Sequence, residues 1–324
     1  MERGVLNYIL RRILQTIPLF FCIIILNFLL VQLAPGDPVD LLIKDGSNEE
    51  MVQRIRHEFG LDKPIYIQLL SYIKSVLKGN LGYSFSYNIP VLDVILERAP
   101  ATLLLMSTAL LIASLFGIAL GIYASIKPFS LRDNFIAFVS LAGYSMPVFW
   151  LGQILVIAVA LKLDLLPTGG MLNVRENYTG LVYVADVGRH LLLPAICYSL
   201  YNFAFICRMM RTSMLEVVRK DFVTTARSKG LTEQVVVLKH MLRNALIPVV
   251  TLIGMSLGMM FAGSVLTETV FSWPGIGRLT YDSIFNRDYP VLMGIFIFVS
   301  MAIVIATLIT DLVYCLLDPR IRYD

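Results

Sequence analysis

The sequence predicts an all-α polytopic membrane protein with six transmembrane helices and both termini on the cytoplasmic side. Three observations carry that prediction. Of 324 residues, 57% are hydrophobic and 15% charged, with a mean hydropathy of +0.74, whereas an ordinary soluble domain has roughly 25% charged residues. Six runs carry no Asp, Glu, Lys or Arg, at residues 13–35, 99–126, 134–161, 191–207, 244–267 and 289–310. An α-helix needs about 20 such residues to cross a hydrocarbon core roughly 30 Å thick. The positive charge is also lopsided: the N-terminus, 127–133, 208–243 and the C-terminal tail hold about 15 Lys and Arg, against about 5 in 162–190 and 268–288, and the richer side is cytoplasmic.

The first run follows Arg3, Arg11 and Arg12. It is too long for a signal-peptide core and lacks a small-x-small cleavage site, so it reads as a retained helix. Residues 37–98 form a segment long enough to translocate whatever its charge. Within it, "EEMVQRIRHEFG" and "PIYIQLLSYIKSVLKG" space apolar residues three to four apart and end at Gly60 and Gly79, as helices with glycine C-caps do. They form an external helical segment, either a cap standing outside the membrane or helices lying in the headgroup region. A charge at a helix centre costs about 2.5–3.5 kcal/mol. Arg12, Arg98, Asp133, Arg189, Arg208, Arg243, Glu268 and Asp311 therefore belong at or near the ends of spans. The third run contains Pro147, which frees a backbone carbonyl in mid-span, and the fourth is the shortest and holds Pro194. The chain divides into a first helix with its external segment (1–98), a five-span domain (99–318) with a cytoplasmic loop at 208–243, and a short tail (319–324).

Several chemistries are missing from the sequence. It has no G-x-x-x-x-G-K-[ST] phosphate loop, and the "GIG" of "SWPGIGRL" follows Pro274 in a loop, where a turn is the simpler reading. The six runs carry no ionisable relay of the kind that marks ion- and proton-coupled carriers. Ser145 in "GYSMP" invites an intramembrane protease, but His190 and His240 fall at membrane edges, out of reach of a mid-span serine. Cys22, Cys197, Cys207 and Cys315 all lie in or beside apolar runs without a C-x-x-C pair, which implies neither a disulfide framework nor a metal knuckle. The net charge of +4 is a membrane-orientation signal and not a nucleic-acid footprint. Neutral polar residues remain inside the spans. Small hydroxylated ones serve helix packing, but Tyr144, Ser145, Tyr198, Tyr201 and Asn202, in "GYSMPVFW" and "CYSLYNFAF", are candidates for lining a path for uncharged or zwitterionic solutes.

The loop 208–243 is the least expected part of so apolar a chain. From Met214 to Lys229 the pattern is helical, with Val218, Phe222 and Ala226 at i, i+4 spacing and Glu216 four residues before Lys220. Gly230 supplies a helix stop and Thr232 can cap the next helix. The result is a helix-turn-helix elbow presenting Thr224, Thr225, Ala226 and Ser228 beside Phe222, a surface suited to a protein groove; an amphipathic helix on the inner leaflet is the alternative.

"DFVTTARSKG" followed by "LRNALIPVVT" resembles the cytoplasmic EAA loop of permease subunits from binding-protein-dependent ABC importers. Thr224, Thr225 and Ala226 stand where that family has Glu-Ala-Ala, and Gly230 takes the place of its glycine. The T-A-R-x-K-G-L form is typical of the peptide, dipeptide and nickel branch. "YILRRILQTIP", "QLAPGDPV", "FGLDKPIYIQ", "GNLGYSFSYNIPV", "ERAPATL", "SMPVFWLG", "ETVFSWPGIGRL" and "LLDPRIRY" resemble the same branch, in order, over essentially the whole chain. The resemblance implies a type I permease core in the cytoplasmic membrane of a prokaryote, the first of two related permease subunits. Its implied partners are a second permease subunit, two ATPase subunits that hold ATP and Mg, and an extracytoplasmic solute-binding protein. Phe222, Thr224, Thr225, Ala226, Arg227, Lys229, Gly230 and Leu231 would then dock on the ATPase. Trp273, Pro274 and Gly275 would lie on the surface that meets the binding protein, a structural loop being the other reading. Short peptides are the implied cargo, with nickel or oligosaccharide as rivals; no His, Cys or carboxylate cluster inside the spans suggests a metal. A stand-alone channel is the competing class.

Overall fold

The computed structural model describes residues 2–33 and 62–317. The predicted helix at 49–60 with its stop at Gly60 and the tail at 319–324 lie outside those residues. The described chain forms two compact units: residues 1–100 with 275–324, and residues 101–274.

The first unit holds α1 (Glu2–Leu33), α2 (Ile65–Leu77), the start of α3 (Val91–Ile126), α10 (Ile276–Phe285) and α11 (Tyr289–Leu317). α2 is the second of the two helices read in the 37–98 segment, closed at Gly79 with φ +77°. α1 packs along α11 and against α2. Asn27, buried in α1, donates from Nδ2 to the Met293 carbonyl at 2.9 Å, and Phe28 meets Tyr72 with ring centroids 5.8 Å apart. A polar group in an apolar seam costs several kcal/mol unless paired, which makes such a bond a register pin. The segment before α3 is tied to the start of α11: the Ser84 hydroxyl donates to Asp288 at 2.6 Å and the Ser86 amide donates to the same oxygen at 3.0 Å.

The second unit holds the rest of α3 with α4 (Leu131–Ser145), α5 (Val148–Lys162), α6 (Gly180–Val217), α7 (Asp221–Ser228), α8 (Glu233–Ala262) and α9 (Val265–Val270). α6 is its axis, packed against α4, α5 and α8. The 191–207 run sits inside this 38-residue helix, and Pro194 is buried within it without ending it, as packed neighbours permit in membrane helices. α3 approaches α6 through Gly117 and Gly121. A Cβ on Gly121 would lie 2.7 Å from the Cys207 carbonyl oxygen, so the small-x-x-x-small spacing here is a backbone contact.

Two runs and one predicted cytoplasmic helix depart from the sequence reading. The 134–161 run is not one straight helix: α4 and α5 meet at 102°. The residue before a proline is pushed to extended backbone; Met146 accordingly has ψ 130°, and Pro147 becomes the N-cap of α5. The 244–267 run stops at Ala262, because Gly263 takes φ 66°, ψ −167°, a region that only glycine tolerates, and Ser264 then caps α9 by accepting from the Thr267 amide. The helix expected from Met214 to Lys229 is broken after Val217, with a turn leading into α7. By length and apolarity, the described residues contain four membrane-crossing helices, or five if the bent α4–α5 pair is one span.

Candidate functional site

Two surfaces of the second unit gather the predicted residues. The first is the elbow formed by α7 and the start of α8. Val223, 0% exposed, and buried Ala226 join Met214, Val217, Val236 and Met241 in one apolar cluster. They anchor the elbow on its own subunit. Burying a side chain of that size is worth about 1.5–3 kcal/mol, enough to hold an eight-residue helix that would be marginal alone. The predicted stripe is thereby corrected. The inward face of α7 is the Val223–Ala226 pair, three residues apart, so Ala226 does not belong to the presented surface, while Phe222 remains 41% exposed.

The elbow's polar groups are largely spent on itself. The Thr225 hydroxyl donates to the Asp221 carbonyl at 2.9 Å and the Ser228 hydroxyl to the Thr224 carbonyl at 3.0 Å. Arg227 grips Glu233 across the turn with bonds of 2.6 and 3.2 Å, and those bonds push its guanidinium above the usual arginine value. Both partners are exposed, so the pair contributes about 0–1 kcal/mol and mainly sets the angle between the helices. Gly230 has φ +73° and makes the turn. Thr232 occupies the N-cap position without a side-chain bond, its carbonyl accepting from Val236 at 3.0 Å. Phe222, Thr224, Lys229 and Leu231 are left exposed and available to another surface.

The second surface is a cavity of about 430 Å³ between α3, α6 and α8, within the roughly 300–1,000 Å³ usual for ligand sites. Tyr198, Tyr201 and Asn202 line it from α6. Tyr144 reaches this group only through its ring, 5.5 Å from Tyr201, and both rings pack on Phe205 at 5.1 and 5.3 Å. Tyr144 lines instead a hollow of about 280 Å³ between α4 and α6, whose rim carries Arg208 and Arg211. Ser145 ends α4 and lines neither space. The sequence reading missed the methionines: Met106 from α3 and Met255, Met259 and Met260 from α8. Met255 and Met259 are four apart and therefore on one helix face, a signal that was present in "GMSLGMM".

The third predicted surface is overturned in part. Trp273 is 0% exposed, and its indole N–H donates to the Ala101 carbonyl at 2.8 Å. An amphipathic indole reads as an interfacial residue, but with its one donor satisfied inside it becomes a core pin. Gly275 is also buried and Pro274 half-buried. Glu268, expected at a membrane edge, is likewise fully buried and accepts from the Thr102 hydroxyl at 3.1 Å. Among the exposed residues of this stretch are Tyr281 and Phe285 on α10, whose rings pair at 4.5 Å.

Residues 117–323 match the family model described as "Binding-protein-dependent transport system inner membrane component", and residues 5–106 match that of its N-terminal region. The chain is 42% identical to the di/tripeptide transport system permease protein DppB of Pseudomonas aeruginosa over 98% of this chain and 99% of that one. Identity is 40% to the dipeptide transport system permease protein DppB of Escherichia coli K12 and 37% to the oligopeptide transport system permease protein AppB of Bacillus subtilis, with the same coverage. Its fold matches a chain of the inward-facing MetNI methionine ABC transporter with a TM-score of 0.54 at 14% identity, over 68% of this chain and 95% of that chain. The all-α architecture, the ordered motifs and these matches together make the chain a member of the binding-protein-dependent transport system inner membrane component family, a multi-pass permease of the bacterial inner membrane.

Proposed function

We propose that this chain is the first of two permease subunits of an ATP-driven importer for di- or oligopeptides, coupled to its motor through the α7 elbow. The observation that carries the proposal is the elbow's two-sidedness. One face is bolted to its own subunit by Val223 and Ala226, and the other offers Phe222 and Leu231 to solvent although the surrounding loop is charged. Relatives of 37–42% identity named as dipeptide and oligopeptide permeases support the peptide cargo. In this reading the termini and the elbow are cytoplasmic, six spans cross the membrane, and the five-span domain is 99–318. Partner ATPases hold ATP and Mg, and this chain hydrolyses nothing. Phe222, Thr224, Lys229 and Leu231 contact the ATPase, whereas Ala226, Arg227 and Gly230 shape the elbow. The solute-binding protein docks on the exposed side of α10 around Tyr281 and Phe285, in place of Trp273.

Burial of a phenylalanine is worth about 1.5–3 kcal/mol, so Phe222→Ala should weaken docking by about ten- to a hundredfold. In the assembled importer it should abolish the ATP hydrolysis stimulated by the cargo-loaded binding protein while leaving the amount of inserted subunit unchanged. Wild-type stimulation in that variant would rule out the docking role. Ala226→Glu would be a poor test, because it places a charge in the subunit's own core.

A further inference from the structure

The cavity between α3, α6 and α8 has two chemically distinct walls. On α6, Tyr198, Tyr201 and Asn202 stand at i, i+3 and i+4, one helix face. None of the three side chains hydrogen-bonds another described residue. Two phenols and an amide are thus left with donors and acceptors to spare beside apolar surface, the condition in which a ligand's polar groups are worth most. On α8, Met255 and Met259 project into the same space, 65% and 61% exposed, and Met106 from α3 is buried. The Ser256 hydroxyl does not join the polar wall, since it is spent on the Leu252 carbonyl at 3.0 Å. No charged side chain lines the cavity.

Unbranched thioether side chains re-pack around differing shapes and contact aromatic rings favourably, which suits a surface that must accept many partners. A ladder of neutral donors and acceptors suits the one part that peptides share, the amide backbone. The absence of a fixed charge matters for release, because a site on a path must bind weakly enough to let go. We infer that this cavity accepts a peptide in transit, with Tyr198, Tyr201 and Asn202 taking its main chain and Met255 and Met259 taking its side chains, so that side-chain identity is read loosely. The inference rests on the peptide reading above and adds to it the residues that set breadth of cargo.

The test compares uptake of radiolabelled Ala-Ala and Phe-Phe by the complete importer with its binding protein in proteoliposomes, normalised to assembled complex. In the double variant Met255→Ser, Met259→Ser, uptake of Phe-Phe relative to Ala-Ala should fall about tenfold, since sulfur–aromatic contacts contribute up to about 1.5 kcal/mol each. Met255→Leu with Met259→Leu, which keeps volume and apolarity, should hold that ratio within about twofold. Tyr198→Phe with Asn202→Leu should lower both peptides together. An unchanged ratio in the serine variant, or an equal fall for both peptides, overturns the inference while the importer reading stands. A wild-type importer that moves neither peptide overturns the peptide reading, and the inference with it.

Discussion

At the scale of single residues, the most consequential pairing in the second unit is Asp133 with Arg211. Asp133 is buried at the start of α4 and accepts from Arg211 Nε at 2.6 Å, from Nη2 at 2.7 Å and from the Phe129 amide at 2.8 Å. It fixes the first turn of α4 to α6 beside the hollow lined by Tyr144. Removing one partner of such a pair leaves an uncompensated buried charge, at a cost of about 3–5 kcal/mol, whereas replacing both by apolar groups is often neutral. Arg211→Ala should therefore lower the thermal midpoint of the purified subunit sharply, and Asp133→Leu with Arg211→Met should recover most of the loss. Equal midpoints for Arg211→Ala and wild type would show that the pair holds nothing. Charge rules read Asp133 correctly as the end of a span, yet its partner 78 positions later was invisible to them, because pairing across helices follows packing and not local pattern.

At the scale of elements, what was legible and what was not divide along physical lines. Apolar runs and glycine stops are local signals, and they located α2, the turn at Gly230 and most of each membrane helix. Breaks were underread: Pro147 was recognised as loosening a span but it turns the chain by 102°, and Gly263 ends α8 several residues before the apolar run does. In both places the charge-free run continues past the break, so hydropathy cannot mark the corner. The elbow's motif was legible in sequence but its facing was not, since packing decides which face of so short a helix turns inward: Val223 and Ala226, three apart, enter the subunit's own apolar cluster, and Phe222 beside them stays exposed. The glycines of α3 and α6 offer a direct comparison. A Cβ at Gly121 would lie 2.7 Å from the Cys207 carbonyl oxygen and from the Met210 Cβ, whereas one at Gly188 meets nothing within 4 Å. Gly121→Ala should destabilise the subunit by about 1–3 kcal/mol through overpacking. Gly188→Ala should instead stabilise α6 by about 0.5–1 kcal/mol, by removing a glycine from a helix interior. Denaturation of the two variants in detergent measures both signs, and a matching sign for the two would contradict the close approach of α3 to α6.

At the scale of the whole molecule, an importer of this kind needs the elbow and the loop preceding α6 on opposite sides of the bilayer, and α6 alone joins them. The helix has 38 residues and at 1.5 Å per residue reaches about 57 Å, well beyond a hydrocarbon core of roughly 30 Å. Arg208 and Arg211 near one end of its apolar run and Arg189 near the other leave a charge-free stretch for the hydrocarbon. Val174 in the preceding loop is 87% exposed, and Phe222 is exposed beyond the far end. Single cysteines at these two positions, in a background with Cys22, Cys197, Cys207 and Cys315 replaced, should respond oppositely to a membrane-impermeant maleimide. Val174→Cys should label in intact spheroplasts, and Phe222→Cys only in inside-out vesicles. Labelling of both from one side would mean that α6 does not cross the membrane. The reverse sidedness would turn the elbow away from the cytosol, and with it any access to an ATP-driven motor.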